Sequence, residues 1–312
     1  MKKIAVIGAG NWGKNLVKNF YEIGELECVV EMNPTIRERI AEEYPDLKIL
    51  DSYESLLTSD IAAVAIATPV PTHFEIASQF LEAGKDVFVE KPITMALAET
   101  QKLVDLAEQN DRVLMTGHLL LFQPAVEFMH DYMQSGKLGK IYSLHLERKN
   151  LGKARAVENV MWSFGVHDIA VMAYLLESAP TQVAAHGHCG LQTSIQDSVY
   201  LNLRFENDVL AHLHNSWLWH ECRRGTTVIG EKGMLVYDEL AQQVTLHKKT
   251  INAELQNCNE GEEIVFEGAA QPLRLELEHF LHCIETRETP RSGPANALAV
   301  IDVLEQAQAQ LA

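Results

Sequence analysis

Ile4-Ala-Val-Ile7-Gly8-Ala-Gly10-Asn-Trp-Gly13 decides the fold. An apolar run of single-strand length ends in three glycines at G-x-G-x-x-G spacing, and a helical pattern over residues 11–23 follows at once. In that order each glycine has its own task. Gly8 permits the tight turn, Gly10 lets a pyrophosphate approach the backbone, and Gly13 lets the helix pack closely on the strand. The free N–H groups of the first helical turn then face the phosphate charge. A second apolar run, Leu26-Glu-Cys-Val-Val30, closes on Glu31, an acid suited to accept from an adenosine ribose and to repel a 2′-phosphate. The pattern predicts a dinucleotide site that takes NAD, while Asn33 and Arg37 stand close enough to Glu31 to leave some use of NADP open.

Outward from this unit, short apolar runs alternate with helical stretches as far as about residue 118. Strands are predicted at 28–30, 62–67, 86–89 and 113–117, and helices at 35–44, 72–83 and 97–109. Repeated βα units imply a doubly wound parallel sheet with ligands beyond the carboxyl ends of its strands. After a helix over 124–135 the alternation stops. Strand-like runs then follow one another at 141–148, 182–187, 198–205, 209–219, 226–229, 234–237 and 244–247, separated by turn signals. The pattern predicts an α/β chain: an N-terminal Rossmann domain, residues 1–120, and a C-terminal α+β domain, residues 121–312, with a mostly antiparallel open sheet. Helices are expected at 273–286 and 295–310, and 249–268 reads as an acidic, exposed hairpin or loop.

Composition narrows the partners. The net charge of −17 argues against nucleic acid and anionic membranes, though a few local arginines suffice for a small anionic ligand. Five scattered cysteines, odd in number and without C-x-x-C spacing, fit neither a disulfide framework nor a zinc site and point to a reducing, cytoplasmic setting. Met1-Lys-Lys-Ile runs straight into the first strand, so no leader is expected, and no long uncharged apolar run is present.

Glu90-Lys91-Pro92 ends a predicted Rossmann strand. With the glycine motif, Ala67-Thr-Pro69 followed by Thr72-His73, Gly136-Lys-Leu-Gly139, and the tail Pro272-Leu-Arg-Leu-Glu276 with His279-Phe280, it resembles the glucose-fructose oxidoreductase / inositol dehydrogenase family over essentially the whole chain. The resemblance implies a two-domain NAD(P)-dependent oxidoreductase of sugars or polyols, a homodimer or homotetramer built through the open face of the second sheet. Asn150-Leu-Gly-Lys-Ala-Arg155, Glu158-Asn159 and Trp162-Ser-Phe-Gly-Val-His167-Asp168 are narrower. They are similar to the branch that oxidises C3 of a UDP-linked N-acetylhexosamine, such as UDP-N-acetylglucosamine, ahead of an aminotransferase in surface-glycan or lipid A synthesis. The corresponding uronic acid, a free polyol or hexose, and an NAD-dependent glycosidase are the alternatives. Ser163 stands where many members carry aspartate, four residues before the catalytic histidine; here Asp168 follows the histidine instead.

The resemblance implies Lys91 and His167 as catalytic residues. An ammonium at a strand's carboxyl end can stabilise developing alkoxide charge and reach both nicotinamide and substrate. A neutral imidazole suits removal of an alcohol proton near pH 7. The plainer readings are a surface lysine and a histidine that opens a helix, and which of the two accepts the proton stays open. Gly8, Gly10, Asn11, Trp12, Gly13, Glu31, Thr68, Pro69, His73, Glu90, Lys91 and Trp162 are the candidate cofactor contacts. Asn150, Lys153, Arg155, Asn159 and Arg223, with Lys91 and His167, are the candidate substrate contacts, arginine suiting a diphosphate and asparagine sugar hydroxyls. Arg223-Arg224 is equally a solvated basic turn, and Asp168 a first-turn acid favoured by the helix dipole. His212 and His214 alternate along one strand without a third ligand, so no metal is expected and both read as sheet or interface residues.

Overall fold

The computed structural model describes residues 3–268 and 270–311. Strand β1 (Ile4–Ile7) is buried along its whole length, as a strand covered on both faces must be. The chain leaves it through Gly8 at φ +87° and enters α1 (Gly13–Ile23), whose left-handed cap Gly24 returns its N–H to the carbonyls of Phe20 and Tyr21. There follow β2 (Leu26–Val30), α2 (Pro34–Glu43), β3 (Lys48–Leu50), β4 (Ala63–Ile66), α3 (His73–Glu82), β5 (Asp86–Glu90), α4 (Leu97–Gln109) and β6 (Leu114–Gly117). Asn33 caps α2, its Oδ1 accepting from the N–H of Thr35 and Ile36, with Pro34 at the first helical position.

These strands form a six-stranded parallel sheet in the order β3-β2-β1-β4-β5-β6. The order reverses between β1 and β4, and the carboxyl ends of β1, β4 and β5 therefore share one edge, where such sheets bind ligands. The expected bounds of β1 and α4 coincide with the observed ones. The sequence reading has no counterpart for β3, a three-residue edge strand too short and too exposed for an apolar run to mark it.

In the second unit α5 (Pro124–Gln134) precedes β7 (Ile141–Lys149), and α6 (Val166–Leu176) precedes the run β8 (Gln182–His188), β9 (Ser198–Arg204), β10 (Leu210–Ser216), β11 (Arg223–Gly230), β12 (Gly233–Asp238), β13 (Gln243–Ile251) and β14 (Asn257–Glu267). They form an eight-stranded sheet, order β14-β13-β12-β11-β7-β10-β9-β8, in which only the β7–β10 pair is parallel among the described residues. Strand β9 shows the logic: Val199, Leu201 and Leu203 are buried while Tyr200, Asn202 and Arg204 face the open side. Helix α5 packs against β13 and β14, and α6 against β7. The acidic stretch 249–268 forms most of the β13–β14 hairpin, with β14 as the exposed edge.

The tail divides differently from expectation. The chain up to Leu119 packs with Gln271–Ile301 as one unit, and Leu120–Ala270 with the chain from Asp302 onwards as the other. Helix α7 (Pro272–Thr286) therefore belongs with the first sheet, not with residues 121–270. Phe280 meets Phe88 of β5 with ring centroids 5.7 Å apart, and Arg287 Nη1 donates to Asp86 Oδ1 at 2.7 Å. An amphipathic tail announces that it covers something, but not which sheet it covers. The last helix, α8 (Pro294–Leu311), places Gln310 on edge strand β8, where it donates to the Val183 carbonyl and accepts from Ala185 N–H. Among the described residues no helix is long and apolar enough to cross a membrane.

Phe280 is fully buried against β5. Phe280→Ala is expected to lower the unfolding free energy by about 3–5 kcal/mol, the usual cost of such a cavity, read by chemical denaturation. A loss below about 1 kcal/mol would show that α7 is not part of this core.

Candidate functional site

The glycine turn has no spare room on two sides and open space on the third. A Cβ at Gly8 would lie 2.9 Å from the Ala67 carbonyl oxygen, and one at Gly13 only 2.0 Å from the carbonyl oxygen of Gly8. A Cβ at Gly10 would meet nothing within 4 Å. The crowded pair fixes the turn and the helix approach, and Gly10 leaves the backbone accessible. Glu31 is tied to the same turn: Oε2 accepts from Ala9 N–H at 2.8 Å and Oε1 from Asn33 N–H at 2.9 Å. A carboxylate has about four lone-pair positions, so Glu31 keeps acceptor capacity for a ribose. Arg37, considered for a 2′-phosphate, donates to the carbonyls of Glu31 and Met32 at 2.8 and 2.7 Å, and Asn33 is the α2 cap.

Trp12 links the turn to the end of β5. Its indole Nε1 donates to Glu90 Oε1, while Glu90 Oε2 accepts from the Lys91 N–H at 3.3 Å. Burial pushes the Glu90 carboxyl up to about 7, against the opposing pull of the Trp12 hydrogen bond and the Lys91 charge. Gly117 on β6 makes the room, since a Cβ there would lie 2.9 Å from Glu90 Oε2. Lys91 itself is half-buried. His118, absent from the sequence reading, is 2% exposed; burial and then the Lys91 charge push its imidazole down to about 3, so it stays neutral. Its signal was its place, one residue past the strand neighbouring β5.

His73 differs from expectation. Neither a water-exposed first turn nor open towards a ligand, it is 1% exposed, with Nδ1 3.0 Å from the Pro92 carbonyl and Nε2 2.9 Å from that of Thr68. It ties the loop after β4 to the loop after β5. Thr68 accepts from the Thr72 hydroxyl at 2.7 Å, Pro69 leads into the turn Val70–Thr72, and Asn11 is exposed on the glycine turn. The first unit thus gathers Gly8, Gly10, Trp12, Gly13, Glu31, Thr68, Pro69, Glu90 and Lys91 along the carboxyl edge of its sheet.

In the second unit His167 is the second residue of α6, entered from a π-helical turn, Met161–Gly165, and it is half-buried. Asn159 and Trp162 brace the chain at this turn. Asn159 Oδ1 accepts from the N–H groups of Met161 and Trp162 at 3.1 and 3.2 Å, and its Nδ2 donates to Gln196 and Gln308. Trp162 is 7% exposed and its Nε1 donates to Gln308 at 3.1 Å. Both side chains hold the entry to α6 through these hydrogen bonds.

Asp168 proves to be a buried anchor. Its Oδ1 accepts from Arg148 Nε at 3.0 Å and its Oδ2 from Asn215 Nδ2 at 2.9 Å, while Arg148 also grips Glu239 through both terminal nitrogens. Burial pulls the Arg148 guanidinium down, but Asp168 and Glu239 outweigh it and hold it above its ordinary value. Of the loop residues, Asn150 is half-buried, its N–H bonded to the Ser216 carbonyl, and Lys153 is exposed. Arg155 faces Glu158 at 3.6 Å, and Arg223 faces Glu221 at 2.8 Å, opposite Lys149 in the sheet register. Lys149, missed in the sequence, is 5% exposed, paired with Glu147 at 2.6 Å and 4.1 Å from the Trp219 ring. His212 and His214 lie on the sheet's open side, stacked on His145 and Tyr200.

The chain is 26% identical over 285 residues to the UDP-N-acetylglucosamine 3-dehydrogenase of Acidithiobacillus ferrooxidans, covering 90% of this chain and 88% of that one. The solved structure of that enzyme shares the fold, with a TM-score of 0.86 at 24% identity over 99% of both chains. The chain is also 27% identical over 308 residues to the scyllo-inositol 2-dehydrogenase (NAD(+)) of Bacillus subtilis, covering 92% and 87% of the two chains. Residues 2–118 match the model of the oxidoreductase family with an NAD-binding Rossmann fold, and residues 126–236 match the GFO/IDH/MocA C-terminal domain. With the crowded glycine turn, its open Gly10 side and the tethered Glu31 all suited to NAD, the chain belongs to the GFO/IDH/MocA oxidoreductase family and binds that cofactor in its first unit.

Proposed function

We propose that this oxidoreductase is an NAD-dependent dehydrogenase acting on the C3 hydroxyl of a UDP-linked N-acetylhexosamine, UDP-N-acetylglucosamine first, to give the 3-keto sugar for later transamination. The observation that supports the reading is the Glu90–Lys91 turn at the carboxyl end of β5, where the buried Glu90 carboxyl accepts from the glycine-turn tryptophan and from the Lys91 N–H. NAD, when bound, supplies the hydride acceptor. Lys91 polarises the hydroxyl and stabilises alkoxide charge, and the neutral His118 brings no second cation beside it. His167 takes the hydroxyl proton as a neutral base. Lys153, Arg155 and Arg223 are the diphosphate candidates and Asn150 the sugar candidate. The exposed pairs Arg155–Glu158 and Arg223–Glu221 are each worth little, so an incoming diphosphate displaces them at small cost.

Likeness to the UDP-sugar enzyme over most of both chains supports this substrate class. A free polyol is the second reading, favoured by comparable likeness to the inositol enzyme. It requires turnover of inositol without a nucleotide and no effect of Arg155→Ala on substrate affinity. We further propose a homodimer or homotetramer through the open sheet face that carries Tyr200 and His212, and a cytoplasmic setting in keeping with five free cysteines. Nothing in this reading involves a nucleic acid, a membrane or a metal.

With NAD, UDP-N-acetylglucosamine and an aminotransferase that drains the unfavourable keto product, reduced nicotinamide absorbance is expected to rise. Lys91→Ala is expected to lower kcat by about 10²–10³-fold and His167→Ala by about 10²–10⁴-fold, with NAD still bound. Silence of the coupled assay, or Lys91→Ala indistinguishable from wild type, would defeat the proposal. Glu31→Ala is expected to weaken NAD binding about tenfold or more while narrowing its advantage over NADP, measured by titration calorimetry. Unchanged preference between the two cofactors would remove Glu31 from the ribose site.

A further inference from the structure

Glu276 on α7 is 1% exposed, and neither of its carboxyl oxygens has a hydrogen-bond partner among the described residues. An ionised carboxylate in that state carries the full cost of desolvation with nothing to offset it. Its surroundings follow from the helix packing. Phe280, one helical turn on, meets Phe88 of β5 at 5.7 Å. A four-residue helical step and a two-residue strand step both cover about 6 Å. With α7 running against β5, Glu276 therefore comes beside Glu90, two residues beyond Phe88.

Two buried carboxyls side by side repel when both are ionised, and a single proton between them turns the repulsion into an O–H···O bond. We propose that Glu276 is held as a neutral carboxylic acid sharing one proton with Glu90, and that it serves as a positioning residue for the Glu90–Lys91 turn. Glu90 then keeps one oxygen for the Trp12 indole and the other for the Lys91 N–H, with its remaining lone pairs turned to Glu276. Burial first, and the Glu90 charge second, hold the Glu276 carboxyl well above its ordinary value.

The neighbouring titratable groups are consistent with this charge state. Strand β5 ends in Glu90 and Lys91, and His118, past β6, is neutral beside that lysine. His73 ties the two loops and is likewise lowered by burial. On α7 itself His279 Nε2 accepts from the Arg291 N–H, and α1, packed against α7, carries the exposed Lys14 and Lys18. Among these, Glu90 is the group whose charge acts on Glu276.

The sign of the linkage is fixed. A carboxyl that keeps its proton to higher pH in the folded state than in the unfolded one stabilises the fold below its unfolded value and loses that contribution as pH rises through its folded value. In that window each extra proton makes the unfolding constant rise about tenfold per pH unit. His73 and His118 titrate the opposite way, in wild type and variant alike, and cancel in the difference.

The test is denaturant unfolding of wild type and Glu276→Gln from mildly acid to mildly alkaline pH, with NAD titrations on wild type, Glu276→Gln and Glu276→Leu. The expected result is a pH dependence of the unfolding constant about tenfold per unit shallower in Glu276→Gln, and a protonated-carboxyl infrared band at neutral pH that this variant lacks. The positioning role, which rests on the reading of Lys91 and Glu90 as cofactor-site residues, further predicts near-wild-type NAD affinity in Glu276→Gln. It predicts a loss of about tenfold in Glu276→Leu, whose side chain cannot donate. Equal slopes would overturn the shared proton; equal affinity in Glu276→Leu would overturn the positioning role. If Glu276→Leu does not fold, the pH dependence of NAD affinity, flattened in Glu276→Gln, decides, and an unflattened profile overturns the role. The unfolding arm needs no cofactor or substrate, so failure of the dehydrogenase reading and failure of the proton-sharing pair are read apart.

Discussion

The approach of α1 to the exit of β1 sets the terms for everything on the ligand edge of the first sheet. A Cβ at Gly13 would stand 2.0 Å from the Gly8 carbonyl oxygen, so a single methyl group would force the helix off the strand. That proximity aims the first-turn N–H groups across the crevice where the strand order reverses. It also places Trp12 where its indole reaches the last residue of β5, although β4 lies between β1 and β5 in the sheet. Gly8 and Gly13 are thus required on steric grounds, before any ligand is considered.

From Trp12 the constraint passes into charge. Glu90 is buried with Lys91 beside it, Gly117 leaves it room, and His118 stays neutral within reach of the Lys91 charge. Burial lowers the local dielectric around Glu90 and His118 and so strengthens their interaction with the neighbouring Lys91 charge. The second unit uses the same device for a different end. Asp168, expected as no more than a first-turn acid, forms a buried ion pair with Arg148 and a hydrogen bond with Asn215, which pins the start of α6 next to His167.

What the sequence made legible was local. The glycine spacing, the acid closing the second strand and the switch from alternating βα units to successive strands each follow from neighbours within a few tens of residues, and they yield the doubly wound parallel sheet and the NAD site. The contacts it left dark join distant parts of the chain. Asn159 reads as a polar loop residue until Gln308 is seen to accept its amide. His73 reads as an exposed helix start until Pro92 and Thr68 close on its ring. Glu276 occupies one position of an amphipathic helix, and its pattern carries no mark of which sheet α7 covers. Such roles depend on burial, which residue type alone does not report.

The dehydrogenase reading stands most directly on where the hydride originates. UDP-N-acetylglucosamine deuterated at C3, incubated with the protein, NAD and a draining aminotransferase, is predicted to yield reduced nicotinamide carrying the deuterium. Reduced cofactor without the label, or deuterium retained at C3 while the sugar is consumed, would contradict the account.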